Sequence, residues 1–352
     1  MKKRIQWIDF AKGIAILLVI IGHTVKNESI VFAIYTFHMP LFFAVSVMTY
    51  RLSANAHDLL GNIKKSFWHL IIPCIGLWLL HDIMFMLAYH SGMDSITVWV
   101  RNRVLSFLFS SSLSIQLKAV TVPSFGVLWF LVALFWGRTL FDGVHLYLGS
   151  VPTDFFDSII VVLCALGAVL GQQVVLPFSL DYALVIQPFF LFGIRYNKWK
   201  NAPFSIKRLM IGISGWLPLA ACIAFWCPGD SFDIAYRKYP LFPICILMSC
   251  FALLAVSEIC KWAVMSSKIY IKYIVKSISV IGEYSFFLFG VHHMDGMWKR
   301  VYLCFDNNLA RMIMRIGTDI GVMLLVIAGW KLTIQYTRNA QCPKREGFQN
   351  DG

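Results

Sequence analysis

The first apolar stretch of the chain carries an ammonium and an imidazole eleven residues apart, Lys12 and His23. Eleven residues is close to three turns of α-helix, so both side chains share one face, ~16 Å apart along the axis. Lipid solvates neither group, so that face must look into protein or a water-filled cavity. There an imidazole can take a proton from a hydroxyl or carry a group transiently, and an ammonium can hold an anion. The bland alternative makes Lys12 a snorkelling anchor and His23 the end of the span. Their shared face, followed by His38 in the next apolar stretch, favours chemistry.

The elements that position these residues are membrane spans. The chain has 352 residues, 59% of them hydrophobic and only 14% charged, against roughly 25% charged in soluble domains. Mean hydropathy is +0.70. Apolar runs at about 10–25, 31–50, 67–90, 125–141, 156–176, 180–196, 209–227, 241–265, 278–294 and 317–336 predict an all-α polytopic bundle of about ten transmembrane helices. Only Pro177-Phe-Ser-Leu separates the fifth run from the sixth. The formal charge of +13 resides in short loops, where it sets topology, so no nucleic-acid partner is expected. With the N-terminus inside, cytoplasmic segments hold 20 of the 31 Lys and Arg and outer segments 10, with Lys12 within the first span. That bias places both termini in the cytoplasm. The nine cysteines read as small core residues, and without a CxxC or zinc spacing no metal is expected. The connection 91–124 carries a mixed arginine and apolar run at 98–109, read as a helix lying in the membrane interface.

Topology sorts the remaining polar residues into two layers. Toward the outer side fall His23, His38, His81, Asp82, His292 and His293; toward the inner side fall Asp9, Lys12, Arg51, Lys64, Lys65, His69 and Glu283. The inner layer is rich in cations, as needed to hold a phosphorylated donor; the outer layer is rich in groups that could move protons. Arg51, Lys64 and Lys65 serve equally as positive-inside anchors, and His81 and His293 read as structural.

Several of these residues fall in motifs that resemble a known family. Asp9 to His23, reading Asp-Phe-Ala-Lys-Gly through Gly-His, resembles the opening signature of the acyltransferase-3 family of bacterial integral-membrane acyltransferases. Phe37-His38-Met39-Pro40-Leu41-Phe42-Phe43 is similar to its second-span motif, and Leu70-Ile-Ile-Pro73 to the start of its third. Leu128-Trp129-Phe130-Leu131 matches its Leu-Trp-Phe-Leu block, and Gly282-Glu-Tyr-Ser285 running to His292 resembles its late span. The resemblance covers roughly residues 4 to 336. It implies one acyltransferase domain over 1–340; the polar residues 341–352 themselves read as a short disordered cytoplasmic tail. The implied enzyme moves an acyl group, commonly acetyl from acetyl-CoA, to a hydroxyl of a cell-envelope saccharide at the inner (plasma) membrane. Lys12 and His23 occupy the family's basic and histidine positions, though the basic residue there is often Arg. Lys64-Lys65-Ser66-Phe67-Trp68-His69 stands where the family often has Arg-x-x-Arg, and Val47-Met48 follows Ser46 where Ser-Gly-Tyr is usual. The last departure removes a glycine that would permit close helix contact.

The expected mechanism follows. Lys12, Lys64, Lys65, Arg51 and His69 hold the donor's phosphates, His23 acts as general base or acyl carrier, and His38 orients His23 or stabilises the oxyanion. Asp9 lies too far along the helix to orient His23 and is expected to pair with Lys12. A proton-coupled transporter or flippase of envelope precursors would use intramembrane Lys, Asp and His equally well.

Overall fold

In hydrocarbon a backbone can satisfy its N–H and C=O groups only by coiling or by closing a barrel. Apolar runs this long coil. The computed structural model describes residues 4–89, 96–117 and 120–341; the expected tail after Gln341 lies outside them. The chain runs through α1 (Gln6–Gly22), α2 (Glu28–Tyr35), α3 (His38–Met48), α4 (Ala56–Ser66), a π-helical turn Phe67–Ile71, α5 (Ile72–Tyr89) and α6 (Ile96–Phe109). The strands β1 (Ile115–Leu117) and β2 (Val120–Val122) follow, then α7 (Trp129–Leu148), α8 (Thr153–Gln173), α9 (Leu180–Val185), α10 (Gln187–Tyr196) and α11 (Ile206–Trp226). The last elements are α12 (Ile244–Met265), α13 (Ile269–Glu283), α14 (Ser285–Met294), α15 (Lys299–Leu303) and α16 (Asn308–Gln341).

Among the described residues seven helical stretches are long and apolar enough to cross a membrane, and two bent pairs bring the number to nine. Helix α1, outside that count, has 17 residues and is about 26 Å long, slightly under a typical hydrocarbon core. Outward faces are apolar, with Leu87, Phe225 and Leu325 strongly exposed, as lipid requires. The bends have local causes. Pro188, at the start of α10, lacks the N–H that would continue α9, and the pair bends by 50°. Between α13 and α14 the break at Tyr284 turns the chain by 69°, swinging α14 across the bundle. Phe178 and Ser179, both left-handed at φ 55°, reverse the chain between the fifth and sixth spans.

Within 91–124 the described residues hold more than the expected helix. Helix α6 is present, but β1 and β2 form an antiparallel hairpin after it, pairing Ile115 with Val122. The alternation of Ile115-Gln116-Leu117 and Val120-Thr121-Val122 suits a half-buried strand pair. Helix α6 also sends Arg103 inward to Asp82, 3.1 Å away, so it walls the bundle rather than only lying on its surface.

Helix α1 is central, touching α2, α3, α12, α13, α14 and α16. Its crossing with α13 brings backbone against backbone. A Cβ on Gly282 would overlap the Asp9 carbonyl oxygen, and one on Gly13 would overlap that of Ile278. Backbone cannot rotate away, so Gly282→Ala is expected to cost more than the usual ~1–3 kcal/mol of overpacking. Thermal unfolding of the purified protein checks this; an unchanged midpoint would refute the close crossing. The Val47 departure is resolved in a similar way. Helix α10 supplies the glycine, and Gly193 lies against the Ala44 carbonyl and the Val47 side chain. The close contact survives with the small residue on the opposite helix. All eight described cysteines are free, and Cys74, Cys164, Cys245 and Cys260 are buried.

Candidate active site

Three cavities lie along α1. The first, about 360 Å³, is lined by Lys12, Ile16, Val19 and His23 of that helix, with His38, Phe130 and Phe289 opposite. The second, about 560 Å³, lies beyond His23 and is lined by His81, Asp82, Arg103, His292, His293, Asp295 and Arg315, with Trp78, Phe85 and Phe125 as its aromatic surfaces. The third, about 1080 Å³, lies at the end of the bundle where α1 begins, and Lys12 and Thr49 line both it and the first. His23 lines the first and the second. The two residues singled out by spacing therefore mark the two junctions of a series of cavities. Their separation along the helix is ~16 Å.

His23 is the C-cap of α1, and its side chain is accessible because cavities flank it. Its ring stacks on His292, with centroids 5.4 Å apart and planes at 28°. Its carbonyl accepts from Arg315 Nη1 at 2.9 Å, and the same nitrogen donates to Thr24 Oγ1 at 3.0 Å. The other edge of that guanidinium grips Asp295 through Nε at 2.8 Å and through Nη2. His292 Nδ1 faces Asp295 Oδ2 at 3.2 Å and Asp319 Oδ2 at 3.5 Å, while Trp298 Nε1 donates to Asp319 Oδ1 at 3.0 Å. His292, Asp295 and Asp319 could geometrically hold a cation. Arg315, however, already places a positive charge on Asp295, which makes a fixed ion-pair network the simpler reading of the cluster.

His38 lies on the far wall of the first cavity. Its Nδ1 donates to the Ile34 carbonyl at 2.9 Å, which in the neutral ring leaves Nε2 as the acceptor nitrogen. The ring in contact with His23 is that of His292. His81 and His293 meet at 4.8 Å in the second cavity, beside the Asp82–Arg103 pair. A turn between α11 and α12, bridged at Asp233 and Lys238, adds Asp233, Ala235 and Tyr236 to the first cavity. Burial pushes the Asp233 carboxyl up to about 6, against amide hydrogen bonds from Tyr236 and Ala235. Arg237 anchors this turn through a buried pair with Asp181 at 2.7 Å and a position over the Tyr182 ring.

The inner layer divides. Lys12 pairs with Asp9 at 2.7 Å, as their i, i+3 spacing predicts, and both line the third cavity. Glu283 pairs with Arg4. Arg51, Lys64, Lys65 and His69 line none of the three cavities. The loop before α4, with Arg51 at its start, is tied to α7 by Asp142, which accepts from Tyr50 Oη, Ser53 N and Ser53 Oγ. Lys64 and Lys65 are exposed on the last turn of α4, and exposed His69 bonds the Lys65 carbonyl at 2.7 Å. Sequence reasoning missed Asp295, Arg315 and Asp319. Asp319 carried a signal, an acid near the start of an apolar span, and Arg315 lies four residues before it.

An all-α bundle of apolar helices with a histidine on the wall of two cavities defines a class, that of multi-pass integral-membrane proteins. Comparison with protein families makes it specific. The acyltransferase-3 family, described as an acyltransferase domain, matches residues 5–330, and the chain belongs to that family. It is thus a multi-pass membrane acyltransferase. No curated protein and no solved structure matches the chain.

Proposed function

We propose that this protein transfers an acyl group, acetyl in the first instance, from acyl-CoA to a hydroxyl of a cell-envelope saccharide, with His23 as general base. The observation that carries the reading is the position of His23, on the wall of both the first and the second cavity. The narrow, mostly apolar first cavity suits a donor's acyl arm arriving from the Lys12 end. The second cavity offers paired charges and aromatic faces of the kind that bind sugars. An acceptor hydroxyl there meets the imidazole, which takes its proton as the oxygen attacks the thioester carbonyl; the carbon–sulfur bond breaks and the thiol leaves with that proton. His38, across the first cavity, can direct a polar group at the developing oxyanion. On this reading the Lys12 end is cytoplasmic and both termini are inside, in line with the charge bias, and the membrane is the inner (plasma) membrane.

Purified protein in liposomes should release free CoA thiol from acetyl-CoA only when an envelope saccharide is present, with the acetyl mass appearing on the sugar. Saccharide movement across the bilayer without thiol release would favour a transporter and overturn the assignment.

A further inference from the structure

The third cavity is the largest of the three, and the base chemistry at His23 leaves it unexplained. Four cations line it: Arg4 before α1, Lys12 on α1, Lys200 in the turn after α10 and Lys261 on α12. Asp9, the one carboxylate on its wall, pairs with Lys12, and Arg4 pairs with Glu283, so the surplus of positive charge rests on Lys200 and Lys261. That surplus has a buried component. Glu258, fully buried, is held by Arg208 Nε at 2.6 Å and by Tyr196 Oη at 2.6 Å, while Lys261 Nζ lies 3.7 Å away. Two cations share one carboxylate, and Lys261 is itself only 3% exposed. An unbalanced charge at that depth is costly, and an anion in the adjoining cavity would offset it.

The remaining walls fix the cations rather than consume them. Lys261 Nζ donates to the Trp199 carbonyl and sits over the Trp7 and Tyr196 rings, at 5.3 and 4.7 Å. Lys200 Nζ donates to the Met48 carbonyl at 2.8 Å, which engages one of its three donors. The Lys200 backbone is in turn held by Trp7 Nε1 at 2.9 Å. Ammonium groups fixed by carbonyls and rings remain available to a phosphate.

We infer that the third cavity is a polyanion site, in which Lys200 and Lys261, with Lys12, grip the phosphates of a nucleotide-bearing thiol carrier. This deepens the proposed acyl-CoA reading and rests on it. Lys12 and Thr49 form the passage to the first cavity, so a ligand seated here extends its arm toward His23. The grip then comes from α1, α12 and the turn after α10, and Lys64 and Lys65 of α4 are dispensable for it.

Calorimetric titration of the full chain in phosphatidylcholine nanodiscs with CoA tests this, because that lipid carries no net charge to compete. Wild type should bind, more weakly as salt rises. Lys200→Gln should weaken binding about tenfold or more, Lys200→Arg should restore most of it, and the Lys64→Gln, Lys65→Gln double variant should match wild type. Asn201→Asp adds a negative charge to the same wall without removing a lysine contact, and should also weaken binding. Loss of binding in the Lys64/Lys65 variant, with Lys200→Gln unaffected, would overturn the inference and leave the acyl-CoA reading standing. No CoA binding by wild type would instead remove the acyl-CoA reading itself. The site would be a lipid-phosphate site, again overturning the inference, if Lys200→Gln lost co-purifying phosphatidylglycerol while CoA binding was unchanged.

Discussion

His23→Gln is expected to lower acyl transfer by about 10²–10⁴-fold while the protein stays folded and inserted. The expectation of an intact fold comes from how His23 is held. Its backbone carbonyl, and not its ring, receives Arg315, so a side-chain change leaves the tie between α1 and α16 in place. The ring contributes the stack on His292 at 5.4 Å, a modest packing interaction that glutamine partly replaces. What glutamine cannot do is accept and release a proton. Thiol release from acetyl-CoA measures the rate, and CoA titration checks that the proposed donor site, about 16 Å away along the helix, is unchanged. A glutamine variant with near-normal turnover would show that His23 only positions substrate. A variant that fails to fold would assign it to packing instead.

The spans were legible in the sequence because hydrocarbon leaves the backbone few alternatives, and helix makes up most of each of the ten apolar runs. Lys12 and His23 were legible because charge in an apolar run is costly and their spacing put them on one face. The Asp9–Lys12 pair was legible because helix geometry alone sets it. The partners of His23 were not. Arg315 reaches its carbonyl, and Asp295 and Asp319 its neighbour His292, only through the bend between α13 and α14 and the packing of α16, a relation that no local spacing encodes. Arg315 looked like any loop cation that orients a span. Lys200 and Lys261 were similarly absorbed into the tally of cytoplasmic charge, although Lys261 is buried beside Glu258. Lys64 and Lys65 shared the inner polar layer with Lys12, whereas only Lys12 of the three lines the third cavity.

Arg315→Gln is the second substitution expected to have a large effect, and it acts on both stability and rate. The guanidinium and Asp295 are both about nine-tenths buried as side chains, at 11% and 12% exposure. Removing one partner of such a pair typically costs about 3–5 kcal/mol, because the other charge is left without compensation. The same change releases the His23 carbonyl and Thr24 Oγ1, and shifts the charge that His292 faces. A base displaced by about 1 Å can lose ~10²-fold in rate. Arg315→Lys separates the two effects. An ammonium can stay on Asp295 and recover much of the stability, but it lacks the planar fork that reaches Asp295 and the His23 carbonyl together. The lysine variant should therefore unfold near the wild-type midpoint, bind CoA normally and still show a reduced kcat. Full recovery of kcat in the lysine variant would mean that charge alone suffices at this position. An unchanged kcat in Arg315→Gln would remove Arg315 from the positioning of His23 altogether.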